Sequence, residues 1–572
     1  MLKKEGEKVG IVLEEVEVLE EALGVRDLSE EEEWVLAENR KIIAEAELAK
    51  VMDLKQRSRI RWAKDGDENS KFFHAQINSR KASNVVHGLN IGGSWVSKPS
   101  LVKKEVFNFF RSKFEEDCRD RPGLVCPNLK RISEIDASWL ESHFSEEEIK
   151  CAVFYCGDDR APGPDGFNFR FFKLFWELFK VDFLNLMSYF FESGRINVGC
   201  GSSFIALVPK KRDPSSLNDY RPISLVGVIN KVVSKVLANR LKKLLGSVIS
   251  DSQSAFLSGR FILDGALIIN EVCSWLKKCK KKKALLLKLD FKKAYDNIHW
   301  GFVADIFRQM GFGLKWCSWI MGILSSARAS VIVNGSPTFE FKCGKGMRQG
   351  DPISPFLFVV VMEALSCLIR RAEEEGLFNG IKLPNDGSRL SHLFFANDAL
   401  IIGDWNRDNA LNIIRILRCF HVCSGLKINL GKSNLLGIGV GVAEVGAFAN
   451  LVGCNPDSIP FKYLGLKVGA NMNRINNWRP VFEIFEARLA LWKSSLLSIG
   501  GRVTLIRSVL ESLPSYYFAL YKAPMKVVLD LERLIKKFLW GGSSEVNKIH
   551  WVAWDKVASP KKVWGPGDLQ TG

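Results

Sequence analysis

Asp290 closes the apolar run ALLLKL, and Asp398 sits more than a hundred residues later on the tip of LSHLFFANDALIIGD, where two apolar β-type runs flank a small polar turn. Two strands ending side by side would present both carboxylates to one place. Converging carboxylates hold divalent cations, the ions that activate an attacking oxygen and brace a polyphosphate when nucleotides are joined. Taken singly, each aspartate is an ordinary strand-end residue, more often a turn or cap group than a ligand. The elements around them therefore decide the reading.

A strand–turn–strand lifts its tip residues clear of the sheet, which suits Asn397 and Asp398. SVIVNGSPTFEF reads as a second hairpin, with Asn334-Gly335 as the turn signal. A strand from Phe204 to Pro209 leads through the basic loop KKRDPSSLNDYRP to a helix from about Asn230 to Leu245. Ser145 and Glu148 fit a capping box at a helix start. APGPDGF at 161–167 cannot be regular structure, and its plain reading is a linker. Residues 10–55 are rich in Glu, Leu and Ala at helical spacing, giving one long acidic helix or a pair. The sign then reverses: Arg57, Arg59, Arg61, Trp62 and Lys64 interleave cations with an aromatic, a pattern for phosphate pairing and base stacking. A solvated helix face explains the same pattern equally well. The lysine run at 277–283 reads as a solvated loop, with a nuclear-import signal or a nucleic-acid contact as the lesser reading.

At 572 residues the chain is long enough for roughly three or four folding units. Its net charge of +17 favours a polyanionic partner, although an anionic membrane surface attracts the same charge. The stretches Phe171–Phe191 and Pro355–Ile369 are interrupted by charges, so neither supplies the roughly 20 uninterrupted apolar residues of a membrane span. MLKKEGEKVG leads into no apolar signal segment, which points to a nuclear or cytoplasmic protein without membrane contact. The 13 cysteines then read as free thiols or small hydrophobes, and with no C-x-x-C pair no structural zinc is expected.

Several ordered blocks decide more. LKLDFKKAYDNIHW at 287–300, GMRQGDPISPFLF at 346–358 and FAND at 395–398 resemble the catalytic motifs of reverse transcriptases from plant LINE elements, the last standing where that family has FADD. LVPKK and DYRPISL within 207–225, KVLANRLK at 235–242, QSAFLSGR at 253–260, SGLKINLGKS at 424–433 and YLGLKVG at 463–469 resemble family signatures in the same order, as does APGPDGF. The resemblance runs from about Arg57 to at least Ser508. It implies an α+β, right-hand polymerase architecture with a helical N-terminal extension. The implied boundaries are 1–55 acidic helical, 56–135 basic and aromatic extension, 136–285 fingers and start of palm, 286–470 palm, and 471–572 a thumb-like helical region with a tail.

The resemblance also implies roles. Asp290 and Asp398 would be palm carboxylates holding two Mg²⁺ ions, for which Mn²⁺ can substitute, with Asn397 at the third carboxylate position. Tyr295 matches the aromatic that excludes a 2′-hydroxyl. Arg348 and Gln349 match the motif lining the nucleotide pocket, and Lys210 and Arg221 match fingers residues that clasp the triphosphate, as charge-assisted bonds to phosphate require. Lys432 matches a late-palm lysine able to protonate the leaving pyrophosphate. Asp296 reads as structural, and His299 and Trp300 as packing residues. The implied partners are an RNA template, a DNA primer and deoxynucleoside triphosphates, and no endonuclease precedes the polymerase blocks in this sequence. Asn397 keeps one ligating oxygen but loses a full charge, which lowers the affinity for a hard dication. The implied enzyme is an RNA-directed DNA polymerase weakened at one residue. A non-catalytic nucleic-acid-binding protein is the reading from a different class. A group II intron maturase and an RNA-templated RNA polymerase fit less well, the latter because Tyr295 would obstruct ribonucleotides.

Overall fold

The computed structural model describes residues 2–26, 28–58, 70–118, 120–279, 282–384, 387–491, 497–540 and 552–557. Helices and sheets are mixed along the chain, which divides into two compact units, residues 83–470 and residues 1–82 with 471–572.

The unit 83–470 is built on eight principal strands: β1 (Ser202–Pro209), β2 (Tyr220–Val226), β3 (Ala284–Leu289), β4 (Arg328–Val333), β5 (His392–Phe395), β6 (Asp398–Asp404), β7 (Asn434–Ile438) and β8 (Asn455–Asp457). In one sheet β1 runs antiparallel to β2 and parallel to β4, whose other edge takes the short strands Ser336–Pro337 and Phe341–Lys342. The second sheet has the order β5-β6-β3-β7-β8. Its centre is β3, and the reason is in its sequence. Side chains alternate between the faces of a strand, and ALLLKL is apolar at nearly every position. Leu285 and Leu287 enter the larger core while Ala284 and Leu286 enter a second, smaller one. A strand buried on both faces has no solvated side and reads as a continuous apolar run.

The helix Ser354–Glu374 crosses the larger core, with every residue from Leu357 to Cys367 buried. The helix Ile262–Lys278 closes the smaller core through Ile269, Val272, Cys273 and Leu276. The helix foreseen from about Asn230 runs Val228–Val248. APGPDGF is more than a linker. The Asp165 carboxylate accepts the Val228 N–H at the start of that helix, and a Cβ on Gly163 would stand 2.5 Å from the Gly227 backbone nitrogen. The capping box of Ser145 and Glu148 forms at the helix Glu146–Tyr155. Asn334 and Gly335 turn the β4 hairpin with φ of 49° and 84°, and the Asn334 side chain bonds both backbone groups of Val86 at 2.8 and 3.0 Å.

In the other unit the acidic N-terminal segment is a pair of helices, Leu2–Leu23 and Glu30–Ser58. Gly24 ends the first, and a reciprocal Ser29–Glu32 pair of bonds at 2.9 and 3.3 Å starts the second. Near the C-terminus the helices Arg479–Leu491, Ile499–Leu505 and Met525–Leu539 follow a buried Trp478, whose Nε1 donates to Met472 O at 2.7 Å. Among the described residues no helix is long and apolar enough to cross a membrane. All 13 cysteines are unpaired.

Candidate active site

Strand register brings the two aspartates together. Ala399 on β6 lies opposite Leu289 on β3, so one step further Asp398 faces Asp290 across the same antiparallel pair, with both side chains on one face of the sheet. The β5–β6 connection is two residues, Ala396 and Asn397, with Ala396 in the left-handed region at φ +52°. Burial is the main reason that the Asp398 carboxyl is raised above the ordinary aspartate range; the negative charge of Asp290 adds to the effect and Lys288 opposes it. The shift is mainly one of desolvation, with the like charge of Asp290 a small addition.

Asp290 is held by the turn that leads into β7. Asn429 Nδ2 donates to Asp290 Oδ2 at 3.1 Å, the Asn429 N–H donates to the Asp290 carbonyl at 2.7 Å, and Ser433 Oγ accepts the Asp290 N–H at 3.1 Å. These contacts explain the SGLKINLGKS block: its polar residues orient the carboxylate that ends β3.

An open cleft of about 830 Å³ lies in front of Asp290. It is lined by Asp290, Tyr295, Asn397 and Lys432 from the strand-end side and by Lys210, Arg221, Arg348 and Gln349 from β1, β2 and the loop before the helix Ser354–Glu374. Asp398, alone of the predicted carboxylates and their partners, stands beside the cleft rather than on its wall. Tyr295 stacks on Phe358 with centroids 4.8 Å apart, and burial pushes its hydroxyl up to about 12. Arg348 touches the cleft, yet its guanidinium donates to Ile323 O at 3.2 Å and Ser326 Oγ at 3.3 Å, so it braces the wall. Gln349 Nε2 reaches Asp296 Oδ1 at 3.4 Å. The Lys210 ammonium rests on Asn218 O at 3.0 Å.

The cleft is rich in positive charge. Burial first, then the charges of Lys113, Lys432 and Arg221, hold Lys210 below the ordinary lysine range. Lys293, whose φ is +53°, falls to about 8 for the same kind of reason, burial first and then Lys113. Crowded cations that depress one another are a ready place for a polyanion, because a bound anion relieves both the repulsion and the desolvation.

Two wall residues lay outside the sequence reading. Phe109 and Lys113 come from the helix Pro99–Phe114. Lys113 Nζ pairs with Asp296 Oδ2 at 2.6 Å, with side chains only 9% and 4% exposed. Asp296 is thus the buried counter-ion of a lysine on the helix Pro99–Phe114. NFFRSKF carries no signal for this, since one lysine on an apolar helix is normally a surface charge. Trp300 donates to Gly346 O at 2.6 Å and His299 Nδ1 caps the helix Trp300–Gln309 at 3.3 Å, so both position the backbone. Of the predicted nucleic-acid contacts, Arg57 lies in the helix Glu30–Ser58, whereas Arg59, Arg61, Trp62 and Lys64 lie outside the described residues.

Residues 208–468 match the family described as reverse transcriptase (RNA-dependent DNA polymerase). The chain carries a reverse transcriptase domain of the kind found in non-LTR retrotransposon proteins. It is similar to the Transposon TX1 uncharacterized 149 kDa protein of Xenopus laevis, at 26% identity over 526 residues covering 89% of this chain and 38% of that protein. The retrovirus-related Pol polyprotein from the type-1 retrotransposable element R2 of Popillia japonica is 24% identical over 318 residues, 55% of this chain and 41% of the relative. An uncharacterized mitochondrial protein of Arabidopsis thaliana is 48% identical over 67 residues, 12% of this chain and 55% of its own length. The chain therefore spans about two fifths of the length of the first two relatives. The matched reverse transcriptase segment contains every predicted cleft residue from Lys210 to Lys432 but begins after Phe109 and Lys113.

Proposed function

We propose that this chain is the polymerase portion of a plant-type LINE reverse transcriptase, folded as fingers, palm and thumb, and that Asn397 leaves it catalytically weak. The observation carrying this reading is the meeting of Asp290, Asn397, Tyr295, Lys210, Arg221, Gln349 and Lys432 around one cation-rich cleft at the end of β3. On this reading residues 136–285 form the fingers and the start of the palm, 286–470 the palm, and 471–572 a thumb-like region.

The donor set accommodates a divalent ion in part. Two facing carboxylates, with Asp398 raised by burial and by the charge of Asp290, suit one hard cation that would relieve their repulsion. Among the described residues no three histidine, cysteine, aspartate or glutamate side chains gather as a cage, and position 397 offers an amide oxygen where a third carboxylate would complete a two-ion site. Asp290 and Asp398 would hold Mg²⁺ or Mn²⁺, and the ion would lower the pKa of a primer 3′-hydroxyl and offset charge on the triphosphate. The rest of the work falls to the chain itself. Lys210 and Arg221 bind phosphate oxygens, Tyr295 on its Phe358 platform limits the space under the sugar, and Lys432 supplies a proton to the departing pyrophosphate. An RNA template paired to a DNA primer and deoxynucleoside triphosphates are the substrates.

Primer extension on a homopolymer RNA template, with Mg²⁺ and separately with Mn²⁺, tests this by comparing the chain with Asn397→Asp. Restoring a charge that contributes several kcal/mol to the transition state raises the rate by about a thousandfold or more, at ~1.36 kcal/mol per factor of ten. Equal extension by both proteins sinks the argument about Asn397. Extension by neither, with RNA binding retained, selects the non-catalytic nucleic-acid-binding reading.

A further inference from the structure

QSAFLSGR takes no part in the cleft, yet it lies directly behind the turn that carries Asn397. The segment runs alongside β5: the Phe394 N–H donates to Ser252 O at 2.7 Å, the Ser254 N–H donates to Phe394 O at 3.0 Å, and Gln253 pairs with Phe394 in a parallel bridge. Arg260 pins the segment in turn, donating to the carbonyls of Ser250 and Gln253 and, at 3.0 Å, of Ile249. From the other side Ser252 Oγ and Ser366 Oγ meet His392 Nε2 at 2.8 and 2.7 Å, which fixes the first residue of β5.

Within this cradle Gln253 is 1% exposed. Its Oε1 accepts two backbone N–H groups, from Ala255 at 3.1 Å and from Ala396 at 3.1 Å. Those two donors fix the orientation of the carboxamide, oxygen toward the turn. Its Nε2 has no hydrogen-bond partner among the described residues. Burying an amide with one end unmet is unfavourable, so the side chain is placed there by what its oxygen does. What the oxygen does is hold Ala396, the residue at φ +52° that aims Asn397 into the cleft and sets Asp398 opposite Asp290. A left-handed alanine persists only where its surroundings over-determine it.

We infer that Gln253 is a positioning residue for the metal-binding turn: by accepting the Ala396 N–H it sets where residues 397 and 398 present their oxygens. This rests on the proposed function, and its test is chosen to separate the two. The full-length chain carrying Asn397→Asp is compared with the same chain carrying Gln253→Met or Gln253→Glu. Methionine keeps the length and volume but removes the acceptor; glutamate keeps an oxygen that can accept the Ala396 N–H.

Mn²⁺ binding is read by electron paramagnetic resonance, and primer extension gives kcat and the deoxynucleotide KM. The expected result for Gln253→Met is Mn²⁺ affinity lower by about tenfold and kcat lower by at least about tenfold, the range seen when groups behind metal ligands are removed, with KM little changed. Gln253→Glu restores Mn²⁺ affinity most of the way. Unchanged Mn²⁺ affinity and kcat in Gln253→Met overturn the inference, as does a Gln253→Glu protein as deficient as the methionine variant, which would make Gln253 a packing residue only. If the Asn397→Asp chain binds Mn²⁺ but extends no primer, the polymerase reading fails while the Mn²⁺ comparison still judges Gln253. If the Asn397→Asp chain binds no Mn²⁺, both are overturned.

Discussion

Replacing Lys113 by methionine isolates the contribution of the helix Pro99–Phe114 to the cleft. The native pair meets at 2.6 Å with both side chains almost wholly out of water. Without the ammonium, Asp296 keeps, among the described residues, only the Gln349 amide at 3.4 Å as a side-chain hydrogen-bond donor, with Lys293 and Lys210 acting on it at longer range. Removing one partner of such a pair costs up to about 3–5 kcal/mol, because the other charge stays buried without a directly paired cation. Removing both is different. In Lys113→Met/Asp296→Asn the attraction is lost, but so is the cost of burying two ions, and such neutral replacements fall near the native stability. The assay is hydrogen exchange of peptides covering residues 290–310 and β3, which reports opening of the unit 83–470 separately from the rest of the chain. The single variant should exchange through an opening easier by up to about 3–5 kcal/mol, and the double variant should recover most of that difference. A single variant indistinguishable from the native chain would show that water already solvates Asp296; a double variant as damaged as the single would show that packing of the lysine stem, not charge, is what matters.

Two further predictions concern pH. His392 is buried as a neutral ring and its pKa is pushed down to about 3, mainly by burial and secondarily by Arg370. Below about pH 6.5 the unfolded chain binds a proton that the folded one refuses, so stability that is complete above that pH falls by up to about 1.4 kcal/mol per pH unit toward pH 3. Urea titrations between neutral pH and about pH 5 should show this slope and should lose it in His392→Gln; a slope untouched by that substitution refutes the assignment. Lys293, at about 8, should lose its charge over mildly alkaline pH. Inorganic pyrophosphate should therefore bind several-fold more weakly as pH rises through about 8, a dependence that Lys293→Arg abolishes because arginine stays charged; calorimetry showing the same fall in both proteins would count against it.

What was legible in the sequence is what local pattern dictates. The mostly apolar run of β3, the strand–turn–strand around FAND, the Asn334-Gly335 hairpin and the Ser145 capping box each depend on neighbours within a few residues, and each is present. The acidic N-terminal segment was ambiguous between one helix and two because the deciding signals, Gly24 and the Ser29–Glu32 cap, are weak in isolation. Of the site, the residues inside the blocks that carry the resemblance line one cleft, with Asp398 beside it. The supporting groups stayed hidden for a common reason. Asn429 and Ser433 act on Asp290, Gln253 acts on Ala396, and Lys113 acts on Asp296, each across well over a hundred residues of chain. A polar side chain whose partner is set by topology looks, in one dimension, like any loop asparagine or helix lysine.

The span from Lys113 to Lys432 has a consequence for how the molecule comes into being. A ribosome must release more than four hundred residues before the last wall of the cleft exists, so until then Asp296 and the cations around it have no completed site. Closing such long loops is slow and leaves strand edges open meanwhile. A fragment trimmed to the family-matched stretch 208–468 would keep the three catalytic blocks yet bury Asp296 without its counter-ion. The smallest piece that can mature on its own is therefore larger than the piece that its motifs define.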